Sequence, residues 1–580
     1  MALRALALVV SVVVVSGVWI AIDVLRVKHA LTDARSQAND LTAQLKEVGP
    51  GGEPAIATQL HRDVAHARAI THDRPWTIGR HLPFVGSNFT ALAQATDAVD
   101  GITTEGIPAL TKLATERDNG TLSVSEGHVD LTTIRQLGPT LDRSDAAFTA
   151  GSRKFDAIKL SGTLSAVRSA MESVRTKLNQ ARSIVHTGAQ AVALAPAMLG
   201  DNGPRNYLLV FQNNAEVRST GGIPGAFAEV RADKGRVTIT RQGAGADTGQ
   251  FNPPALALTS EERSLYGNLP AIFWQDTNFS PDFPRTAQIL RAMFKIRYHD
   301  DLAGVVSVDP IALAHVLDAT GPVQVTPQVA LSAANVVPVL LNAVYTYYPG
   351  EDVQQNTFFA HAASTIFAKV LSGSQKPGDL VSAIEAGINE NRILVNLTAA
   401  DEQALFAHSK VGGALPVGKS SRPQIGLYLN DSTQAKLEFY LRRTTSVVST
   451  SCNGEGVQDF STRTTLASLA PANVTTLGPS VVGYGTGATH GVMEMVLTYY
   501  APYGGRVTSM SIDGVEHSVN RTTQQGLNVA TVPITLAPGK KHVVTTTIES
   551  GPGERGDGNF KTTPGVVATP NNVRIKSTCG

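Results

Sequence analysis

Residues 206–239 read NYLLVFQNNAEVRSTGGIPGAFAEVRADKGRVTI, and the fold is decided here. NYLLVFQNN is an apolar run closing on turn formers, which predicts a short buried strand. Phe227–Val230 and Arg236–Ile239 flank Asp233-Lys234-Gly235, the pattern of two strands joined by a tight turn. Working outward, a helix is expected over 284–296, a strand at 303–308 (AGVVSV), a helix over 311–318 and a strand VQV after Gly321-Pro322. Strands alternating with helices predict a layered α/β domain over 201–412. Farther on, LEFYLRR, TSVVST, VMEMVLTYY and HVVTTTIES are short strands separated by Ser, Thr, Gly and Pro. That spacing predicts a β-sandwich over 413–580. Upstream, residues 28–200 are Ala-rich with apolar positions such as Leu31, Ala34, Ala38, Leu41 and Leu45 at helical spacing. They predict a helical stalk or bundle, with helices near 55–70, 88–117 and 144–194 and a loop at 74–86 (RPWTIGRHLPFVG). The fold class is therefore α+β and multidomain.

Ala5–Ile22, ALALVVSVVVVSGVWIAI, carries no charge. It matches the length that spans a hydrocarbon core of about 30 Å, and no A-x-A site closes it. Residues 1–27 are read as an uncleaved signal anchor in the cell membrane, with the bulk of the chain on the extracytoplasmic side. Lys plus Arg total 49 and Asp plus Glu 48, a balance that excludes broad nucleic-acid binding. The two cysteines, Cys452 and Cys579, cannot build a metal cluster or a CxxC motif. In an oxidising compartment they form a disulfide tying the C-terminal tail to its own domain; the alternative is two independent buried thiols.

The densest chemical candidate is QNNAEVRSTGGIPG, 212–225. Arg218 offers a fixed cation for phosphate or carboxylate. Asn213, Asn214, Ser219 and Thr220 add hydrogen-bonding groups, while Gly221 and Gly222 allow close backbone approach. An anion site fits; so does a glycine-rich bend with Arg218 paired to Glu216 or Glu229. In WQDTNFSPDFPR (274–285), Asp276 and Asp282 suit a hard cation such as Mg²⁺, with Asp247 of GAGADTG as a third acid. The alternative is that Ser280 or Asp282 caps the helix opening near Pro284. Asp352, Gln354 and Gln355 open a further helix and can face the same pocket. P-loop, dinucleotide, HExxH and GxSxG patterns are all missing.

Three segments in order, NNAEVRSTGGIPGAFAEVRADKGRVTI, WQDTNFSPDFPRTAQIL and LAGVVSVDPIALAHVLDATGPVQV, resemble the bacterial family known as domain of unknown function 4012, common in actinobacteria. The order of elements is more distantly similar to LytR-CpsA-Psr phosphotransferases, which move glycopolymers from a polyprenyl-pyrophosphate carrier onto peptidoglycan. That similarity implies that Arg218 holds pyrophosphate and that Asp247 or Asp276 holds Mg²⁺. Val308-Asp309 and Gly321-Pro322-Val323 stand where the enzymes have a buried strand-ending Asp and a Gly-Gly-Val segment. Two positions depart from the pattern. Thr220 replaces an acidic residue, and Val353-Gln354-Gln355-Asn356 replaces an arginine-rich grip. The expected function is a membrane-anchored envelope protein that binds or transfers polyprenyl-pyrophosphate-linked glycopolymers during cell-wall assembly. The competing expectation is a noncatalytic extracellular scaffold or adhesion protein.

Overall fold

The computed structural model describes residues 53–110, 124–125, 127–373, 377–407, 409–483, 491–518, 520–567 and 570–579. The anchor at 1–27 and the helical stretch at 28–52 lie outside them. No described helix is long and apolar enough to cross a membrane. The chain divides into two units: residues up to Val124 with Val129–Asn202, and Ser125–His128 with Gly203–Gly580.

The first unit is helical. Its helices are Glu53–Thr71 (α1), Arg74–Gly79 (α2), Gly86–Gly101 (α3, continued by the wider turn Ile102–Gly106), Leu131–Asp156 (α4) and Ser165–Met198 (α5). Leu60, Val64, Ile102, Phe148 and Val185 form one core, and Ala95, Ala98, Phe155 and Met171 another. Two expectations need correction. Part of the loop at 74–86 is helical, because Asp73 accepts from Trp76 N at 2.9 Å and Pro75 fills the first turn, where its missing N–H costs nothing. The helix expected over 144–194 is two helices, broken across 157–164, where Gly162 adopts a positive φ of 76°.

The second unit begins with a seven-stranded sheet. In sheet order, Val124–Ser125 (β1) and His128–Val129 (β2) lie at one edge. Arg236–Ala244 (β5), Gly221–Asp233 (β4), Arg205–Arg218 (β3), Gly304–Val308 (β6) and Ile393–Leu397 (β9) follow. The β3–β6 pairing is parallel; β2–β5, β3–β4, β4–β5 and β6–β9 are antiparallel. Leu208, Val210, Phe227, Val305 and Leu394 face the helix Phe283–Tyr298 (α6) and pack with its Leu290, Met293 and Phe294. Pro310–Thr320 (α7), Asp352–Leu371 (α8) and Pro377–Asn389 (α9) follow β6. The VQV strand, Val323–Thr326 (β7), pairs only with Val329–Leu331 (β8), outside the main sheet.

The remaining strands make two facing sheets. One runs Asn520–Gln524 (β16), Leu527–Leu536 (β17), Met493–Tyr500 (β13), Gln424–Asp431 (β10), Gly558–Thr562 (β19) and Asn572–Ile575 (β20). The other runs Leu441–Cys452 (β11), Gln458–Ser468 (β12), Lys541–Glu549 (β18), Arg506–Ile512 (β14) and Val515–Glu516 (β15). Alternation does the sorting. Met493, Met495, Leu497 and Tyr499 are buried between the sheets with Phe460, Leu466, Val544 and Ile548, while Glu494, Val496 and Thr498 point the other way. Cys452 and Cys579, 127 residues apart in sequence, are disulfide-bonded.

Candidate functional site

NYLLVFQNN does not end in a turn at Asn213-Asn214. β3 runs on to Arg218, and the turn lies at Ser219-Thr220. The register jumps, however: Asn213 opposes Ile223 and Val217 opposes Gly222, which leaves Asn214, Ala215 and Glu216 bulged out. Gly222 makes this possible, since a Cβ there would lie 2.0 Å from the Asn213 carbonyl oxygen. Gly221 sits at φ 146° with the Gln212 carboxamide against it. Gln212 Oε1 accepts from Gly222 N (2.9 Å) and Thr220 Oγ1 (3.1 Å), and Asn278 Nδ2 donates to Thr220 Oγ1 and to the Gly222 carbonyl, both at 2.8 Å.

The neutral candidates are thus bonded within the fold, save that the buried Asn214 Oδ1 has no hydrogen-bond partner. Asn213 Nδ2 donates to Tyr345 Oη at 2.8 Å. Asn214 Nδ2 donates to Asp309 Oδ2 at 3.1 Å, and Asp309 is also gripped at 2.6 Å by the fully buried Arg392. Ser219 Oγ donates to the Phe279 carbonyl at 2.6 Å.

Arg218 stands where β3 leaves the bulge. Its Nη2 lies 3.1 Å from Asp276 Oδ1; its Nη1 donates to the carbonyls of Val217 and Asp431 and lies 4.0 Å from Asp431 Oδ2. The guanidinium covers the Phe279 ring at 4.7 Å, and only 6% of the residue is exposed. Its partner is therefore neither Glu216, which pairs with Lys436 at 2.7 Å, nor Glu229, which pairs with Arg241 at 3.2 Å. Burial pushes the Asp276 carboxyl up, with Arg218 opposing. Burial raises Asp431 to about 7 and holds Glu438, next to it electrostatically, well above the usual range. Asp431 Oδ2 and both Glu438 carboxylate oxygens have no hydrogen-bond partner.

Asp247 is exposed and folds back onto its own loop, accepting from Ala244 N at 2.8 Å. Among the described residues no group of three or more His, Cys, Asp or Glu is arranged to hold a metal ion. Asp282 starts α6 without capping it through its side chain. Its two oxygens instead accept from Leu415 N and Gln525 Nε2, both at 2.9 Å, tying the helix start to the sandwich. Gln355 is spent on the Tyr348 carbonyl and Ser480.

Beside Arg218 opens a cleft of about 1020 Å³. One wall is the outer face of the six-stranded sheet: Glu494, Val496 and Thr498 of β13, Thr531 and Pro533 of β17, and Asn520 of β16. The other is the segment carrying Leu265, Tyr266, Leu269, Asp276 and Phe279, with Asn430–Ala435 closing the end. Tyr266 and Phe279 stack with centroids 5.9 Å apart, and Tyr266 Oη is fixed by Gln524 and Tyr500. Tyr266, Phe279, Asp431 and Glu494 were not picked out from the sequence. The one cue for Asp431 is the turn-forming NDST (430–433) after the apolar run IGLYL.

The bulge, the glycine pair and α6 fall inside one stretch that is recognisable by comparison. Residues 202–345 match the family described as protein of unknown function DUF4012. The DUF4012 segment supplies Arg218, Tyr266, Asp276 and Phe279, and the sandwich beyond it supplies the facing wall. No curated protein matches the chain.

Proposed function

We propose that this is a membrane-tethered envelope protein whose second unit binds an uncharged stretch of a cell-wall glycopolymer without transferring it. The observation that carries the reading is the cleft beside a committed Arg218. A pyrophosphate there would meet one arginine already engaged by Asp276 and two carbonyls, together with the carboxylates of Asp276, Asp431 and Glu494. Removing that many acids from water beside an anion is unfavourable. A sugar chain suits the same walls, with Tyr266 and Phe279 offering apolar ring surface and Glu494, Asn520 and Thr531 offering hydrogen bonds. The uncharged run Ala5–Ile22 and the Cys452–Cys579 disulfide, a bond that persists in oxidising compartments, support a tethered, extracytoplasmic setting.

The test is calorimetric titration of the intact protein with neutral cell-wall oligosaccharides and, separately, with inorganic pyrophosphate plus Mg²⁺. Saturable sugar binding that Asn520→Ala and Glu494→Gln weaken is expected. Pyrophosphate binding dependent on Arg218 would restore the phosphotransferase reading, and failure of both ligands would favour the scaffold.

A further inference from the structure

In the first unit, the run His81-Leu82-Pro83-Phe84-Val85 is exposed throughout, with Phe84 95%, Leu82 39% and Val85 37% exposed. Ile78 of α2 is 63% exposed, and so is Leu164 at 60%, on the turn before α5. Two contacts join that turn to the start of α3: Ser87 Oγ donates to the Gly162 carbonyl at 2.6 Å, and Leu164 N donates to Asn88 Oδ1 at 2.8 Å. Several large apolar side chains are thus presented together, which an isolated soluble surface seldom does.

The loop holding them is built to keep them out. Trp76 is buried against Phe89, its Nε1 donating to the Phe89 carbonyl at 2.9 Å and the two ring centroids 4.8 Å apart. Leu82 N donates to the Gly79 carbonyl, and Gly86 N to that of Leu82. Phe84 itself sits at φ +66°, where a bulky residue is strained. Asparagine or glycine would fit that backbone better, so folding alone does not explain a phenylalanine there.

The charge within this face is cationic, bounded by Asp73, Asp97, Asp156 and Glu172. Residues 74–96 contain Arg74, Arg80 and His81 and no Asp or Glu; residues 157–171 contain Lys159 and Arg168 and again no acid. Both stretches belong to a chain whose net charge is only +1, so the asymmetry is local. An apolar tip with Arg74, Lys159 and Arg168 beside it complements a bilayer carrying anionic headgroups, into which aromatic and aliphatic side chains dip at the interface.

We infer that Ile78, Leu82, Phe84, Val85 and Leu164 form a bilayer-docking face that inserts into the surface of an anionic membrane. The inference rests on the tethered reading above, and its test separates the two. The full chain is reconstituted with phosphatidylglycerol–phosphatidylcholine vesicles, and an environment-sensitive fluorophore is attached at Leu82→Cys or at the exposed control Thr104→Cys. The native cysteines are bonded to each other and do not react. Co-flotation with vesicles reads the tether; quenching by lipids spin-labelled along the acyl chain reads the face. Quenching at position 82 but not at 104 is expected, falling in vesicles of phosphatidylcholine alone. Phe84→Asn, which suits the backbone and removes the ring, is expected to lower the inserted-to-free ratio roughly 10-fold or more. Equal quenching at the two positions in floated protein overturns the docking face alone. Failure to float overturns both readings. A fluorescence change without lipid that grows with protein concentration assigns the face to a second copy of the chain and also overturns the proposal.

Discussion

Replacing Asp431 by asparagine should make the second unit more stable at alkaline pH. Asp431 Oδ1 accepts from Thr433 N and Thr433 Oγ1, contacts an asparagine oxygen can keep, whereas Oδ2 has no hydrogen-bond partner. Arg218 and Lys436 are the nearby cations, against Glu216, Asp276 and Glu438. Burial raises the Asp431 carboxyl from 3.8 to about 7. An acid raised on folding contributes full stability below its unfolded value, and that contribution is lost as pH rises through the folded one. Ionising Asp431 in the folded state thus costs a few kcal/mol of stability, lost progressively from about pH 4 and fully lost above about pH 7. The assay is urea unfolding from pH 5 to 9, with Trp19 and Trp76 replaced by Phe so that buried Trp274 reports the second unit. Asp431→Asn should match the parent only below about pH 4, exceed it by about 1–2 kcal/mol at pH 5, and exceed it by about 2–4 kcal/mol at pH 8.5. Parallel pH profiles, or a variant weaker than the parent at pH 8.5, would refute the account of this carboxyl.

Three further outcomes are expected. Gly222→Ala places a Cβ 2.0 Å from the Asn213 carbonyl and should cost about 3 kcal/mol or more, visible as a lowered urea midpoint for Trp274. Arg392→Met leaves Asp309 and Glu390 without their guanidinium, held now at 2.6 and 2.7 Å; a loss of about 3–5 kcal/mol is expected, and one under 1 kcal/mol would show the pair to be dispensable. Cys452→Ser with Cys579→Ser opens a crosslink spanning 127 residues. The loss should approach about 5 kcal/mol if chain entropy dominates, read by denaturation with and without reductant.

The strands and helices that could be read from sequence are those whose apolar period is uninterrupted: the 303–308 strand, α6, and the strands within VMEMVLTYY and HVVTTTIES, whereas Leu437–Tyr440 of the expected strand LEFYLRR is a 3-10 turn leading into Leu441–Cys452. The bulge at 214–216 was not readable, because Asn-Asn looks like a turn by local preference. What overrides it is tertiary: Asp309, Tyr345 and Lys436 take up Asn214, Asn213 and Glu216 from other elements. The site shows the same division. Arg218 stood out as a lone cation among glycines, but its partners Asp276 and Asp431 lie 58 and 213 residues away. Pairing across such distances leaves no local trace. Asp282 illustrates the converse, a residue with every local mark of a cap whose oxygens are drawn off by Leu415 and Gln525.

The stretch 563–565 threads past the bulge. Thr563 Oγ1 donates to the Ser219 carbonyl, the Pro564 carbonyl accepts from Asn214, and that of Gly565 accepts from Arg392. Strand β9, at the far edge of the seven-stranded sheet, also lies beyond residue 345. The segment recognisable by family is therefore not a segment that can be cut out. A fragment ending near 345 would expose an unpaired β6 edge, and even one reaching 560 would uncap Asn214 and Arg392. Any relative that shares only this stretch must close it with chain of its own, so variation outside the family boundary should track the bulge residues inside it.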